Sequence, residues 1–134
     1  MIFEQTVVLS DPFDTVVERV KEAFAEQGFG MLTEIDLQAT LAQKVGKEMD
    51  RYVIIGACNP QLASQAVDVL PRIGALLPCN VVVRETDQGV AVEAMDPGLM
   101  ATLTGDDAVK PIADEARRRV GNAMEALGPC TDGG

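Results

Sequence analysis

Two apolar runs, Cys79 to Thr86 and Val90 to Met95, are separated only by Asp87-Gln88-Gly89. A glycine in so short a connection supplies the positive φ that hairpin loops require, and two strands joined this way run antiparallel. An all-parallel sheet is therefore excluded. The remaining elements must be arranged around one plain hairpin.

Upstream, strand-like and helix-like segments alternate. Met1 to Leu9 is rich enough in β-branched residues to predict a first strand. Ser10-Asp11-Pro12 predicts a capped helix start, and Phe13, Val16, Val17, Val20 and Phe24 form an apolar stripe that Gly28 ends. Phe29 to Ile35 follows as a strand, with Phe29, Met31, Thr33 and Ile35 expected on one face. Asp36 is expected to cap a helix from Leu37 to Val45. Arg51 to Cys58 is apolar on both faces, which suggests a central strand. Asn59-Pro60 predicts a third helix in which the Asn59 side chain accepts from the N–H of Gln61 or Leu62, and Pro71 ends it. After the hairpin, Asp96-Pro97-Gly98 opens a short connection to about Leu103. A last helix carries Ile112, Ala116, Val120, Met124 and Leu127, beginning at Asp106 or Pro111. The order β-α-β-α-β-α-β-β-α predicts an α+β two-layer sandwich: a mixed or antiparallel sheet of about five strands with helices on one face. Residues 1–128 make one domain, and residues 129–134 are expected to form a flexible tail.

Composition narrows the partners. The chain has 134 residues, 47% hydrophobic and 24% charged, the balance of a folded domain. Its 11 basic residues face 21 acidic ones, a net charge of −10, so nucleic acid and anionic membrane are not expected partners. The one basic cluster, Arg117-Arg118-Arg119, follows Asp114 and Glu115 at helical ion-pair spacing and reads as a solvated helix face rather than an anion patch. No apolar run approaches the roughly 20 residues of a membrane span. The first residues lack a signal-peptide pattern, so a cytoplasmic location is expected.

The chain has no histidine and three cysteines. Cys-His and Ser-His nucleophile pairs are thereby excluded, and Cys-x-x-Cys metal or redox spacing is absent. Gly28-Phe29-Gly30 lacks the third glycine of a nucleotide loop and precedes a strand. This spacing names no metal ligands and no cofactor, and Cys58 and Cys79 leave a ligand-binding crevice or a thiol redox or soft-metal site open. Cys58 precedes the capping Asn59, where a helix N-terminus would lower its pKa. Cys79, opening the next strand, is a second candidate if the two strands are neighbours. One shared crevice would place their Cα atoms within roughly 10 Å, somewhat beyond disulfide range. Asn59 and Asn80, each beside a cysteine, offer amides to an anionic or carbonyl ligand. The simpler alternative is that both cysteines are small core residues. Glu34 and Asp36 share a strand face and read either as an acid/base pair or hard-cation site, or as an exposed residue and a helix cap. Asp96 turns the chain before Pro97. Cys130 and the terminal Gly133-Gly134 are read as incidental.

The segments Gly56-Ala57-Cys58-Asn59-Pro60, Leu76 to Val83, Thr33-Glu34-Ile35-Asp36 and Met95-Asp96-Pro97 together resemble the domain of unknown function 302 family. The resemblance runs from about Phe3 to Leu127. It implies a topology likened to one half of the TATA-binding protein, without a DNA function, and it implies a homodimer. Three functional readings follow. The first is a small-ligand-binding module with a crevice at Cys58, Asn59, Cys79, Asn80 and Glu34. The second is thiol redox or sulfur handling at Cys58 and Cys79. The third is a structural protein with no site. No reaction is named by these residues.

Overall fold

The computed structural model describes residues 3–131. Strands β1 (Phe3–Leu9), β2 (Gly30–Asp36), β3 (Tyr52–Cys58), β4 (Cys79–Thr86), β5 (Gly89–Met95) and the two-residue β6 (Cys130–Thr131) form one sheet in the order β2-β3-β4-β5-β1-β6. Every pairing is antiparallel. The expected hairpin is β4–β5, with Gly89 at φ 136°. The tail expected beyond residue 128 begins with β6, which pairs Thr131 with Thr6 and Cys130 with Val7. Residues 132–134 of that tail lie outside the described residues.

Helix α1 (Phe13–Glu26) and helix α5 (Lys110–Leu127) cover one face. Val16, Val20 and Phe24 of α1 and Val120, Ala123 and Met124 of α5 join Val7, Val53, Ile55, Val81, Val83 and Val92 of the sheet in one buried cluster. Phe24 and Phe29 meet edge to face at 5.6 Å between ring centroids. A second, smaller cluster lies where α3 (Pro60–Val69), a 3-10 turn (Pro71–Leu76), α4 (Leu99–Thr104) and the start of α5 converge. Its buried members are Ala66, Ile73, Cys79, Met100, Val109 and Ala113. Helix α2 (Leu37–Val45) buries none of its residues. No helix of the described residues is long and apolar enough to cross a membrane.

Local signals place most boundaries. Asp36 caps α2 by accepting from the Ala39 N–H at 2.9 Å, and Gly28 is left-handed at φ 85°. The last helix starts beside Pro111, while the Asp106 carboxylate instead closes a turn onto the Ala108 N–H. Two expectations are corrected. No side chain caps α1; Asp11 pairs with Arg19 at 3.4 Å. In β2 the register shifts between Met31 and Thr33, so Leu32 is an extra residue in the ladder. A bulge of this kind reverses which residues face the core. Phe29 is buried and Met31 packs on the main cluster, but Thr33 and Ile35 are exposed.

Gly56 lies where β2, β3 and the turn into β4 approach most closely. A Cβ there would overlap Thr33 Oγ1 and lie 2.7 Å from Pro78 Cγ. Gly56→Ala is therefore expected to cost about 1–3 kcal/mol by overpacking. The measurement is the urea midpoint, expected to fall with an unchanged slope; an unchanged midpoint would show that the neighbouring strands yield freely.

Candidate functional site

The register of β3 on β4 brings the two cysteine motifs together. Ala57 faces Cys79 across the ladder. Facing Cα atoms lie roughly 4.5–5.5 Å apart and chain neighbours about 3.8 Å, so the Cys58 and Cys79 Cα atoms lie within about 9 Å. Alternation along the strands turns Cys79 to the helix side and would turn Cys58 to the other. Cys58, however, is the last residue of β3, and both cysteines line one crevice. Its walls are Phe29 and Ala57 from the main cluster, Leu62, Ala66 and Leu77 around α3, and Met100 of α4. The crevice encloses about 20 Å³, room for roughly one water-sized body. Cys79 is 5% exposed; Cys58 is half-buried.

Burial raises the pKa of the Cys58 thiol. Burial, reinforced by the charge of Cys58, pushes Cys79 up to about 11. The expectation of a lowered Cys58 pKa is thus reversed. Pro60 has no N–H to offer, and the Leu62 N–H is taken by the Asn59 side chain, so the helix end has little left to stabilise a thiolate. Desolvation by the apolar wall outweighs the helix dipole.

Asn59 is buried and committed on both ends of its amide. Its Oδ1 accepts from the Leu62 N–H at 3.2 Å, and its Nδ2 donates to the Gln27 carbonyl at 3.4 Å. Arg119 donates to the same carbonyl at 3.4 Å, and Asn122 donates to Gln27 Oε1 at 3.3 Å. A Cβ on Gly28 would sit 2.9 Å from Asn59 Nδ2, and the backbone there is left-handed, so glycine is needed at this crossing. Asn80 is exposed and faces Gly56 across the ladder, on the opposite sheet face from Cys79.

The carboxylate candidates lie elsewhere. Glu34 pairs with Lys21 at 2.5 Å, a hydrogen bond that raises the Lys21 pKa, and Asp36 is spent on its cap. Asp96 accepts from the Gly98 N–H at 2.8 Å and pairs with Arg117 at 3.4 Å. Arg118 binds Glu115 through two hydrogen bonds, and Lys110 pairs with Asp114 at 2.8 Å. Among the described residues no three or more His, Cys, Asp or Glu side chains cluster as a metal site. The residues sequence reasoning missed are the crevice walls, above all Met100. Its only local signal was an apolar residue in a short, ambiguous segment.

The family described as "Domain of unknown function DUF302" matches residues 5–127. Among curated proteins, none matches the chain. A crystal structure of an uncharacterized conserved DUF302 protein from Bacillus stearothermophilus is similar, with a TM-score of 0.85 and 26% sequence identity, over 92% of this chain and 96% of that one.

Two outcomes follow from this geometry. Asn59→Ala is expected to cost about 1–2 kcal/mol through the lost cap, read as a lower denaturation midpoint; an unchanged midpoint would make the amide dispensable to the fold. At pH 7 iodoacetamide is expected to label Cys58 more slowly than an unfolded thiol, and Cys79 more slowly still, because raised pKa values leave little thiolate. Both rates should climb as pH rises. Labelling of Cys58 faster than in denatured protein would contradict the desolvated environment.

Proposed function

The chain belongs to the family described as domain of unknown function DUF302, and on that premise we propose that it is a cytoplasmic, homodimeric module that binds a small ligand in the crevice at Cys58 and Cys79. The observation that carries this reading is the position of the crevice at the seam between two hydrophobic clusters. Two separately packed clusters can part along a seam while each keeps its own contacts, which admits a ligand without unfolding either. The half-buried Cys58 lies at the mouth and Cys79 in the depth.

The wall chemistry sets the ligand class. Asn59 is spent on the cap, Asn80 lies on the other face, and no carboxylate lines the crevice. A soft or apolar ligand suits these walls better than the anion or carbonyl compound that the two amides suggested. Thiol redox catalysis is the weaker reading, since both thiols are held protonated at neutral pH.

Support for dimerisation comes from the sheet face opposite α1 and α5. Strand alternation places Ile35, Tyr52, Ile54 and Val82 there, with Arg84 paired to Glu93 at 2.6 Å. These two charges cancel, on a chain whose net charge is −10. Like-charged copies approach most easily where the local charge is balanced and the surface apolar.

Methyl NMR spectra recorded during a benzene titration test the crevice. Saturable shifts at Met100, Ile112 and Leu62, with the β1–β5 core unmoved, are expected. Shifts that never saturate, or none at all, overturn an apolar occupant. Sedimentation velocity tests the dimer: wild type is expected at twice the chain mass and Val82→Glu at the chain mass. A wild-type monomer at millimolar concentration would remove the homodimer.

A further inference from the structure

Three sulfur-bearing side chains reach one crevice from three separate elements: Cys58 from the end of β3, Cys79 from the start of β4 and Met100 from α4. Of the chain's three cysteines and six methionines, these three line the same crevice. The crevice is otherwise walled by carbon, apart from Asn59, whose amide is already engaged. Hard cations need several oxygen ligands, and no carboxylate lines these walls. Thiolate and thioether donors select cuprous ion. At rest the enclosed 20 Å³ has room for a single ion or water-sized body, whereas a larger apolar probe such as benzene enters only if the seam parts.

We propose that the ligand of this crevice is a soft monovalent metal ion, with cuprous ion as its type, held by the thiolates of Cys58 and Cys79 and the thioether of Met100. The assignment rests on the reading of the crevice as a ligand site and names its occupant. On binding, each thiol releases its proton to solvent and forms a metal–sulfur bond, while Met100 donates a lone pair and releases nothing. No electron is transferred, and the three-sulfur complex carries one negative charge. The bound cation itself neutralises one of the two thiolate charges, which offsets the desolvation that the α3 N-terminus, with Pro60 and Asn59 in its first turn, does not relieve. Cys58, half-buried at the mouth, meets the ion first and completes the ligand set by rotating its side chain inward. Met100 is 5% exposed. Its backbone N–H donates to the Pro97 carbonyl at 3.0 Å in the turn into α4. The dry wall then shields the ion from oxidation by dissolved oxygen.

The test is an anaerobic titration of the full chain with cuprous ion against bathocuproine disulfonate, read as the loss of chelator absorbance. Wild type and Cys130→Ser are expected to withdraw one equivalent each. Met100→Leu, which conserves volume but removes the thioether donor, is expected to weaken binding measurably, and Cys58→Ser and Cys79→Ala to abolish it with circular dichroism unchanged. Loss of binding in Cys130→Ser, indifference to Met100→Leu, or zinc binding as tight as cuprous ion would each overturn the assignment. The benzene titration separates the two levels. Saturable benzene shifts without cuprous binding remove the metal and leave the crevice, whereas failure of both removes the site itself.

Discussion

The β3–β4 ladder is the constraint on which the rest of the structure depends. Val53, Ile55 and Ala57 face Val83, Val81 and Cys79 across it, and all six are buried on the helix side. Side chains alternate faces with a period of two, so a one-residue slip would expose this entire set. Burial of that set against α1 and α5 therefore locks the register, and the register in turn places Cys79 beside the end of β3. The two cysteine motifs are neighbours because the hydrophobic core permits no other alignment.

A polar junction holds the crevice from one side. Asn59 joins the β3–α3 turn to the carbonyl of Gln27 at the end of α1, and Arg119 and Asn122 of α5 converge on the same residue. Four polar side chains thus tie three helices together around one left-handed glycine, Gly28. Paired polar groups in a partly buried setting are costly to separate. The opposite wall is built differently. Leu77, Met100 and Ile112 meet it through apolar contacts alone, which lack the directionality of hydrogen bonds. One side of the crevice is rigid and the other adaptable, the combination a small binding site requires.

The same packing explains the state of the sulfurs. A helix N-terminus favours a thiolate only where its N–H groups are available and the surroundings are polar. Here proline removes one donor and Asn59 occupies another, while carbon surrounds both thiols. Protonated, desolvated thiols are poor nucleophiles at neutral pH. They remain good ligands for a partner that displaces the proton, and this difference favours binding over catalysis as the use of the site.

Much of the fold was legible in the sequence because its signals act within a few residues. Asp36 and Asn59 each reach an N–H three positions ahead, and the Asp87-Gln88-Gly89 turn joins neighbouring strands. Such contacts form in any chain carrying those residues, so element types, most boundaries and the antiparallel hairpin follow from local chemistry alone. The tertiary structure decided whatever depends on partners distant in the chain. It put the bulge at Leu32, which turned Thr33 and Ile35 away from the core, and it desolvated Cys58 where the local pattern favoured a thiolate. It also separated Asn80 from the crevice and brought Met100 to it. Each outcome is set by which surfaces bury against one another, and burial is a property of the whole packed chain rather than of any short stretch of it.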